Sequence, residues 1–229
     1  DSGLFGFRQV SEALGSTPWY LRLLRDESAT AERLAKILAT SRYATDLLLR
    51  APEAVNLLAS NDSLKPRTRD ELHTEVLAIA SRYEDQSEAV GAIRAVRRRE
   101  LFRVSCADIL GEIDVEQVGD ALTDITDATI AGTLEVIRRS TQNVPPFLVV
   151  AMGRYGGAEL GYGSDADVMF CFSETSDLSQ GAAHSMANSL RTLLMAPSPD
   201  PELVIDADLR PEGKNGPLVR SFDSFDAYY

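Results

Sequence analysis

This 229-residue chain is poor in the residues that staple, ligate or anchor a protein. It has two cysteines, two histidines and one tryptophan. Cys106 and Cys171 are too few and too isolated for a disulfide framework, and neither His73 nor His184 has zinc-ligand spacing. A reducing cytoplasm is the compartment that fits such cysteine usage. No apolar run approaches the ~20 residues that span a bilayer, so no membrane span is expected. Basic residues are in the minority: 23 Lys and Arg against 35 Asp and Glu leave a formal net charge of -12. A surface of that sign opposes general nucleic-acid binding, which needs cations to neutralise phosphates. It does not oppose a local site for one nucleotide. There is no internal repeat and no low-complexity tract. Asp1-Ser2-Gly3 carries neither an initiator Met nor a signal-peptide pattern, and reads as the start of a piece of something longer.

What is present is enough for a packed core, with 44% hydrophobic and 25% charged residues. From about residue 11 to 140 the apolar positions recur at helical spacing. Leu34, Ile37, Leu38, Leu47 and Leu48 form one such series, which Pro52 interrupts, and Ala54 to Leu58 continues it. Asn61-Asp62-Ser63 and Pro66 predict a loop. Leu72, Val76 and Ile79 mark the next helix, and Ala89 to about Gly111 a longer one. Asp114 is a candidate N-cap for a last helix along Leu122, Ile125, Ile130, Leu134 and Ile137. Composition changes at 141–146, a linker with Pro145 and Pro146. Phe147 to Met152 then reads as a buried strand. A short helix is expected around Ala158–Leu160, a strand over Asp165–Phe172 and a helix over Ala182–Met195. Alternation over Leu203–Leu209 predicts another strand, with Pro217–Arg220 as a hairpin partner and a helix from Phe222. The class is α+β, with a helical domain over 1–142 and a sheet domain over 143–229.

The chemistry lies in Gly163-Ser164-Asp165-Ala166-Asp167, which follows Gly153, Gly156, Gly157 and Gly161 and runs into apolar Val168-Met169-Phe170. Alternation puts the two carboxylates on one face of a strand, their Cβ atoms ~7 Å apart. The glycines let backbone N–H groups approach phosphate oxygens, and Ser164 adds a hydroxyl. That is equipment for handling a nucleoside triphosphate with Mg²⁺. Alone, Asp-x-Asp is a weak signal, since a solvated strand edge explains many such pairs. Asp206 on a later strand strengthens it: clustered carboxylates repel unless cations lie between them. Three acids aimed at one place predict a two-metal site for phosphoryl transfer. An Asp-x-Asp glycosyltransferase is disfavoured by the Gly-Ser before the pair and by that third acid.

The string from Met152 to Asp167, with its Gly-Gly-x-Glu-Leu-Gly-Tyr-Gly-Ser-Asp-x-Asp core, resembles the motif of the glutamine synthetase adenylyltransferase family. Ile205-Asp206 and Leu209-Arg210-Pro211-Glu212-Gly213 resemble the family's later Asp and Leu-Arg-Pro stretch. Leu14–Trp19 and Leu47–Pro52 are similar to its helical lead-in, so the likeness covers nearly the whole chain. It resembles actinobacterial members most, and the C-terminal, adenylylating half of the bifunctional enzyme more than the deadenylylating half. The resemblance implies a truncated nucleotidyltransferase domain of the DNA polymerase β type behind a helical domain. It also implies transfer of AMP from ATP to a tyrosine of glutamine synthetase, with a PII-type nitrogen regulator as a further partner. On this resemblance Asp165 and Asp167 hold two Mg²⁺ ions, and Asp206 completes the shell and helps deprotonate or orient the tyrosine hydroxyl. Gly163 and Ser164 hold the β/γ-phosphates, and Gly157 permits the tight turn. Arg210 has two open roles, a salt bridge to an aspartate or a triphosphate contact, and Lys214 is an open candidate for phosphate. Family members commonly carry Arg where Asp208 stands, which argues against Asp208 as a ligand. The reverse reaction, phosphorolysis of the modified tyrosine, needs the same metal shell and stays open, as does a non-catalytic partner-binding role.

Plainer readings cover the remaining features. Arg97, Arg98 and Arg99 predict a solvated helix face paired with glutamates. His73 and His184 read as surface or satisfied positions, Trp19 as a packing anchor and Cys171 as core.

Overall fold

The computed structural model describes residues 2–14, 20, 25 and 28–228. The helical region comprises α1 (Ser2–Leu14), α2 (Ser28–Thr40), α3 (Arg42–Arg50), a 3-10 segment (Pro52–Ala59), α4 (Asn61–Leu64), α5 (Arg69–Ala80), α6 (Gln86–Leu110) and α7 (Val115–Ser140). The α+β class holds, with a four-stranded sheet after the helices. Asn61–Leu64 is not the expected loop. Ser60 caps it by accepting the Ser63 N–H, which closes one helical turn. Trp19 lies outside the described residues.

Local chemistry sets the helix ends. Thr68 and Glu71 form a reciprocal capping box on α5, and Asp114 and Gln117 form one on α7. Asp85 caps α6, starting it three residues before Ala89, and Gly111 ends it in the left-handed region at φ 78°. Gly132 lets α7 come close to α5 and α6: a Cβ there would stand 2.9 Å from Val76 Cβ and 3.1 Å from Ile93 Cδ1. Among the arginines, Arg99 pairs with Glu75 and Glu100 as expected. Arg97 does not fit a solvated face. It is buried, and its guanidinium donates to backbone carbonyls.

The sheet is built on β2 (Ala166–Phe172), between β1 (Phe147–Ala151) and two short strands, β3 (Ile205–Asp206) and β4 (Val219–Ser221). β1 runs antiparallel to β2, with Ala151 opposite Val168 and Phe147 opposite Phe172. β3 and β4 both run parallel to β2. The expected hairpin between 203–209 and 217–220 is therefore wrong, because the chain continues in one direction between them where a hairpin would reverse it. The strand around Asp206 is two residues long, since the backbone turns at Asp208–Leu209. The expected helix at Ala158–Leu160 is also absent. The turn of helix lies earlier, at α8 (Gly153–Gly156), and the chain leaves it through Ala158 at φ 57°. α9 (Ser179–Met195) packs across α7, β2 and β4, and α10 (Phe222–Asp226) closes the described chain.

One apolar core runs through both regions, from Leu34 and Ile93 to Phe170, Met186 and Ile205. Polar contacts cross the same boundary. Tyr155 donates its hydroxyl to Asp127 of α7, and Tyr162 donates to Asp108 of α6 at 3.0 Å. Gly119 of α7 faces the glycine-rich loop so closely that a Cβ would meet the Ala158 carbonyl at 2.6 Å. The helices thus form the wall on which the loop of the candidate site rests.

Candidate functional site

The loop after β1 folds back on β2. Met152 N–H donates to the Asp167 carbonyl at 2.8 Å, which prolongs the β1–β2 ladder by one bond. Gly153 follows at φ 54°, and a Cβ on it would lie 2.6 Å from Asp167 Oδ2. That glycine is required twice, for its left-handed backbone and for the space that the Asp167 carboxylate fills. Farther on, the Ser164 N–H donates to the Gly161 carbonyl (3.1 Å) and Gly161 N–H donates to Ser164 Oγ (3.0 Å). The turn before the acids is closed on itself, and the Ser164 hydroxyl proton remains free to donate outward.

Asp167 and Asp206 are register neighbours on parallel β2 and β3, both half-buried. The Asp167 carboxyl stands above the ordinary carboxylate range, first through burial and then through repulsion from Asp206 and Asp165, with Arg154 opposing. Asp165, Asp167, Gly163 and Ser164 line one open cavity of about 490 Å³ together with Gly161 and Arg154. The predicted residues 163, 164, 165 and 167 are therefore brought together, and Asp206 stands beside them through the strand pairing. Gly157 lines the adjoining cleft of about 700 Å³ between the loop and the start of α7.

Arg210 and Lys214 gather elsewhere. Arg210 donates to the carbonyls of Ala207 (2.7 Å), Gly216 (3.2 Å) and Lys214 (3.3 Å), and lies 3.4 Å from Asp208 Oδ1. Lys214 Nζ lies 3.1 Å from Asp208 Oδ2. Both hold the 207–216 loop, where Arg210 makes a salt bridge to Asp208; a phosphate contact by Arg210 or Lys214 stays an expectation. Asp208 N–H in turn donates to Asp206 Oδ1 at 2.8 Å, so this loop orients the third acid. Arg154 is the residue that sequence reasoning passed over. It follows Gly153, and a cation placed between a strand end and a glycine-rich turn was the available signal.

The donors on β2 and β3 are carboxylate oxygens, hard ligands suited to Mg²⁺ or Mn²⁺ rather than to zinc. Among the described residues, no three His, Cys, Asp or Glu side chains close on one point as a ready-made cage. The arrangement is a strand-borne pair with Asp165 at its rim, open on the side where a triphosphate could supply further oxygens.

A family model described as glutamate-ammonia ligase adenylyltransferase matches residues 31–229. The chain belongs to this family. It is similar over its whole length to the bifunctional glutamine synthetase adenylyltransferase/adenylyl-removing enzymes of Cutibacterium acnes and Streptomyces coelicolor, 52% and 51% identical, and to that of Leifsonia xyli, 45% identical. The actinobacterial resemblance of the sequence thus holds. The chain spans about a quarter of the length of these relatives, between 23% and 25%.

Proposed function

We propose that this chain is an adenylyl-transferring unit of a longer enzyme, moving AMP from ATP to a tyrosine of glutamine synthetase. The observation that carries the reading is the register pairing of Asp167 with Asp206, beside the Gly163-Ser164-Asp165 turn. In this reading residues 143–229 are a nucleotidyltransferase domain of the DNA polymerase β type, and 1–142 a helical domain that helps hold the protein substrate. Asp165, Asp167 and Asp206 would hold Mg²⁺, which would neutralise triphosphate charge and make the attacking hydroxyl more acidic.

The chain's own groups position the rest. Ser164 donates its hydroxyl, and Gly163 its backbone N–H, to the β/γ-phosphates, with Arg154 adding positive charge at the same cavity. Asp206 has Oδ1 engaged by the Asp208 N–H and presents Oδ2 to the acceptor hydroxyl. The tyrosine hydroxyl gives its proton to Asp206 as its oxygen attacks the α-phosphorus, the bond to the β-phosphate oxygen breaks and pyrophosphate leaves. Catalysis is mainly orientation and charge neutralisation, without a covalent enzyme intermediate.

No described helix is long and apolar enough to cross a membrane, and the reading places the protein in the cytoplasm beside its substrate. The names of the relatives carry both directions of the reaction, so phosphorolytic removal of AMP is the second reading. Incubating the full-length protein and its Asp167→Asn variant with unmodified glutamine synthetase and ATP, and in parallel with adenylylated glutamine synthetase and phosphate, separates the two. AMP incorporation lost in the variant supports transfer by this unit. ADP release lost instead supports removal, and a variant that keeps both activities would leave the chain a partner-binding scaffold.

A further inference from the structure

Helix α6 turns Arg94, Arg97 and Arg98 toward the segment that joins α9 to β3. Arg94 donates from Nη1 to the Ala196 carbonyl at 2.6 Å and from Nη2 to the Asp200 carbonyl at 2.9 Å. Arg97 donates from Nη1 to the carbonyls of Pro201 and Glu202, each at 3.2 Å. Arg98 forms an ion pair with the Asp200 carboxylate. Arg94 and Arg97 are only 3% and 8% exposed. Burying guanidinium groups is costly, and the hydrogen bonds of these two go to carbonyl dipoles. Burial lowers Arg97 to about 10, with the like charge of Arg94 adding to it, so it remains a cation at neutral pH.

The segment between Ala196 and Val204 has no helix or strand of its own, and it leads straight into β3. β3 is too short to fix its own place: it pairs only Ile205 with Ala166 and Asp206 with Asp167. Two further backbone bonds flank it, from Ala166 N–H to the Val204 carbonyl and from Leu203 N–H to the Leu194 carbonyl. Leu203 and Ile205 are buried, which fixes the inward face of the strand. Apolar contact is non-directional, however, and does not set position along the strand axis. Four directional bonds to residues 196, 200, 201 and 202 do.

We infer that Arg94 and Arg97 are positioning residues for Asp206: helix α6 sets where the third acid stands by holding the carbonyls of the α9–β3 connection. This deepens the proposed function, since it rests on Asp206 being an acid of the site. Guanidinium suits the task because its planar fork reaches two carbonyls from one side chain, which an ammonium does less well.

Hydrogen exchange of the intact chain, followed by mass spectrometry of its peptides, tests this beside Mn²⁺ titration of the same samples. Losing two hydrogen bonds of ordinary net strength corresponds to roughly thirtyfold. In Arg97→Met, peptides over 165–167 and 203–206 should exchange about thirtyfold faster, while those of α5 and β1 stay unchanged. Mn²⁺ affinity should fall by a similar factor, and Arg97→Lys should recover part of both. If the Met variant does not fold, Arg94→Lys and Arg97→Lys carry the same two readouts. A purely structural role predicts faster exchange throughout the chain with Mn²⁺ affinity intact, and that result overturns the inference. So does unchanged exchange at β3. Faster exchange at β3 in a protein whose unmodified form binds no Mn²⁺ upholds the clamp and refutes the proposed site instead.

Discussion

Helices α6 and α7 run 25 and 26 residues, whereas β3 and β4 run two and three. The helices carry their own instructions: capping residues at the ends and an apolar stripe between them. The strands carry almost none, and they are placed by what surrounds them, namely the ladder of β2, the buried arginines of α6 and the loop bonds around Asp208. The strand with the least local specification, β3, is the one that bears the third acid, Asp206. A site assembled this way couples its geometry to the helical wall.

The largest effect should come from the acid pair. Asp167→Asn or Asp165→Asn in the full-length enzyme should lower AMP transfer from labelled ATP by roughly 10²–10³-fold or more, on the scale of losing one preorganised electrostatic group. Melting without metal should be unchanged or slightly raised, because neutralising one of several crowded carboxylates relieves repulsion. An Asp167→Asn protein that unfolds without metal would make the pair a structural feature.

The raised carboxyl of Asp167 gives that test a pH signature. A carboxyl whose folded pKa lies above its unfolded value favours folding in its neutral form. Its contribution is complete below the unfolded value of about 4 and is lost as pH rises through the folded value. Metal-free melts of Asp167→Asn should lack this acid-side gain, and a pH profile identical to that of the unmodified chain would argue against the assigned environment.

Two glycines separate the regions directly. Gly132→Ala forces a methyl against Val76 and Ile93 and should cost about 1–3 kcal/mol of stability by overpacking, with Mn²⁺ affinity unaffected. Gly153→Ala meets both a left-handed backbone and Asp167 Oδ2. It should cost about 1–2 kcal/mol for the backbone alone and also weaken Mn²⁺ binding. Denaturant melts paired with metal titrations distinguish them, and equal metal loss in both would erase the contrast.

Smaller effects are expected at the seams. Tyr155→Phe removes the hydroxyl donated to Asp127 and should cost about 1 kcal/mol in a thermal or urea melt, since Asp127 keeps its ion pair with Arg69. Asp208→Asn loses contacts to Lys214 and Arg210 at a half-exposed position and should retain most transfer activity, as a position outside the proposed metal shell.

The helices were legible because their signals are local: Asp114 and Gly111 mark ends, and Leu122, Ile125 and Ile137 mark a face. The acids were legible as a motif, because glycines, a hydroxyl and paired carboxylates occur within a few residues. What the sequence does not display is distance in space. Nothing near Asp206 announces a strand of two residues, and nothing near Pro217 says that Val219 joins β2 in parallel. Arg97 read as surface because charge runs usually are; its carbonyl partners lie 104 and 105 residues away. The turn at 153–160 was misplaced for a similar reason, because Gly153 is shaped by the Asp167 side chain across the ladder.

Asp167 and Asp206, paired across β2 and β3, are proposed to form a cation site that carries a nucleotide. Electron paramagnetic resonance of Mn²⁺ added to the intact chain, with and without a non-hydrolysable ATP analogue, is the decisive measurement. Free Mn²⁺ signal should fall on addition of the protein and fall further with the analogue, while Asp206→Asn, folded to the same melting temperature, should leave it largely free. Equal binding by Asp206→Asn and the unmodified chain would contradict the account.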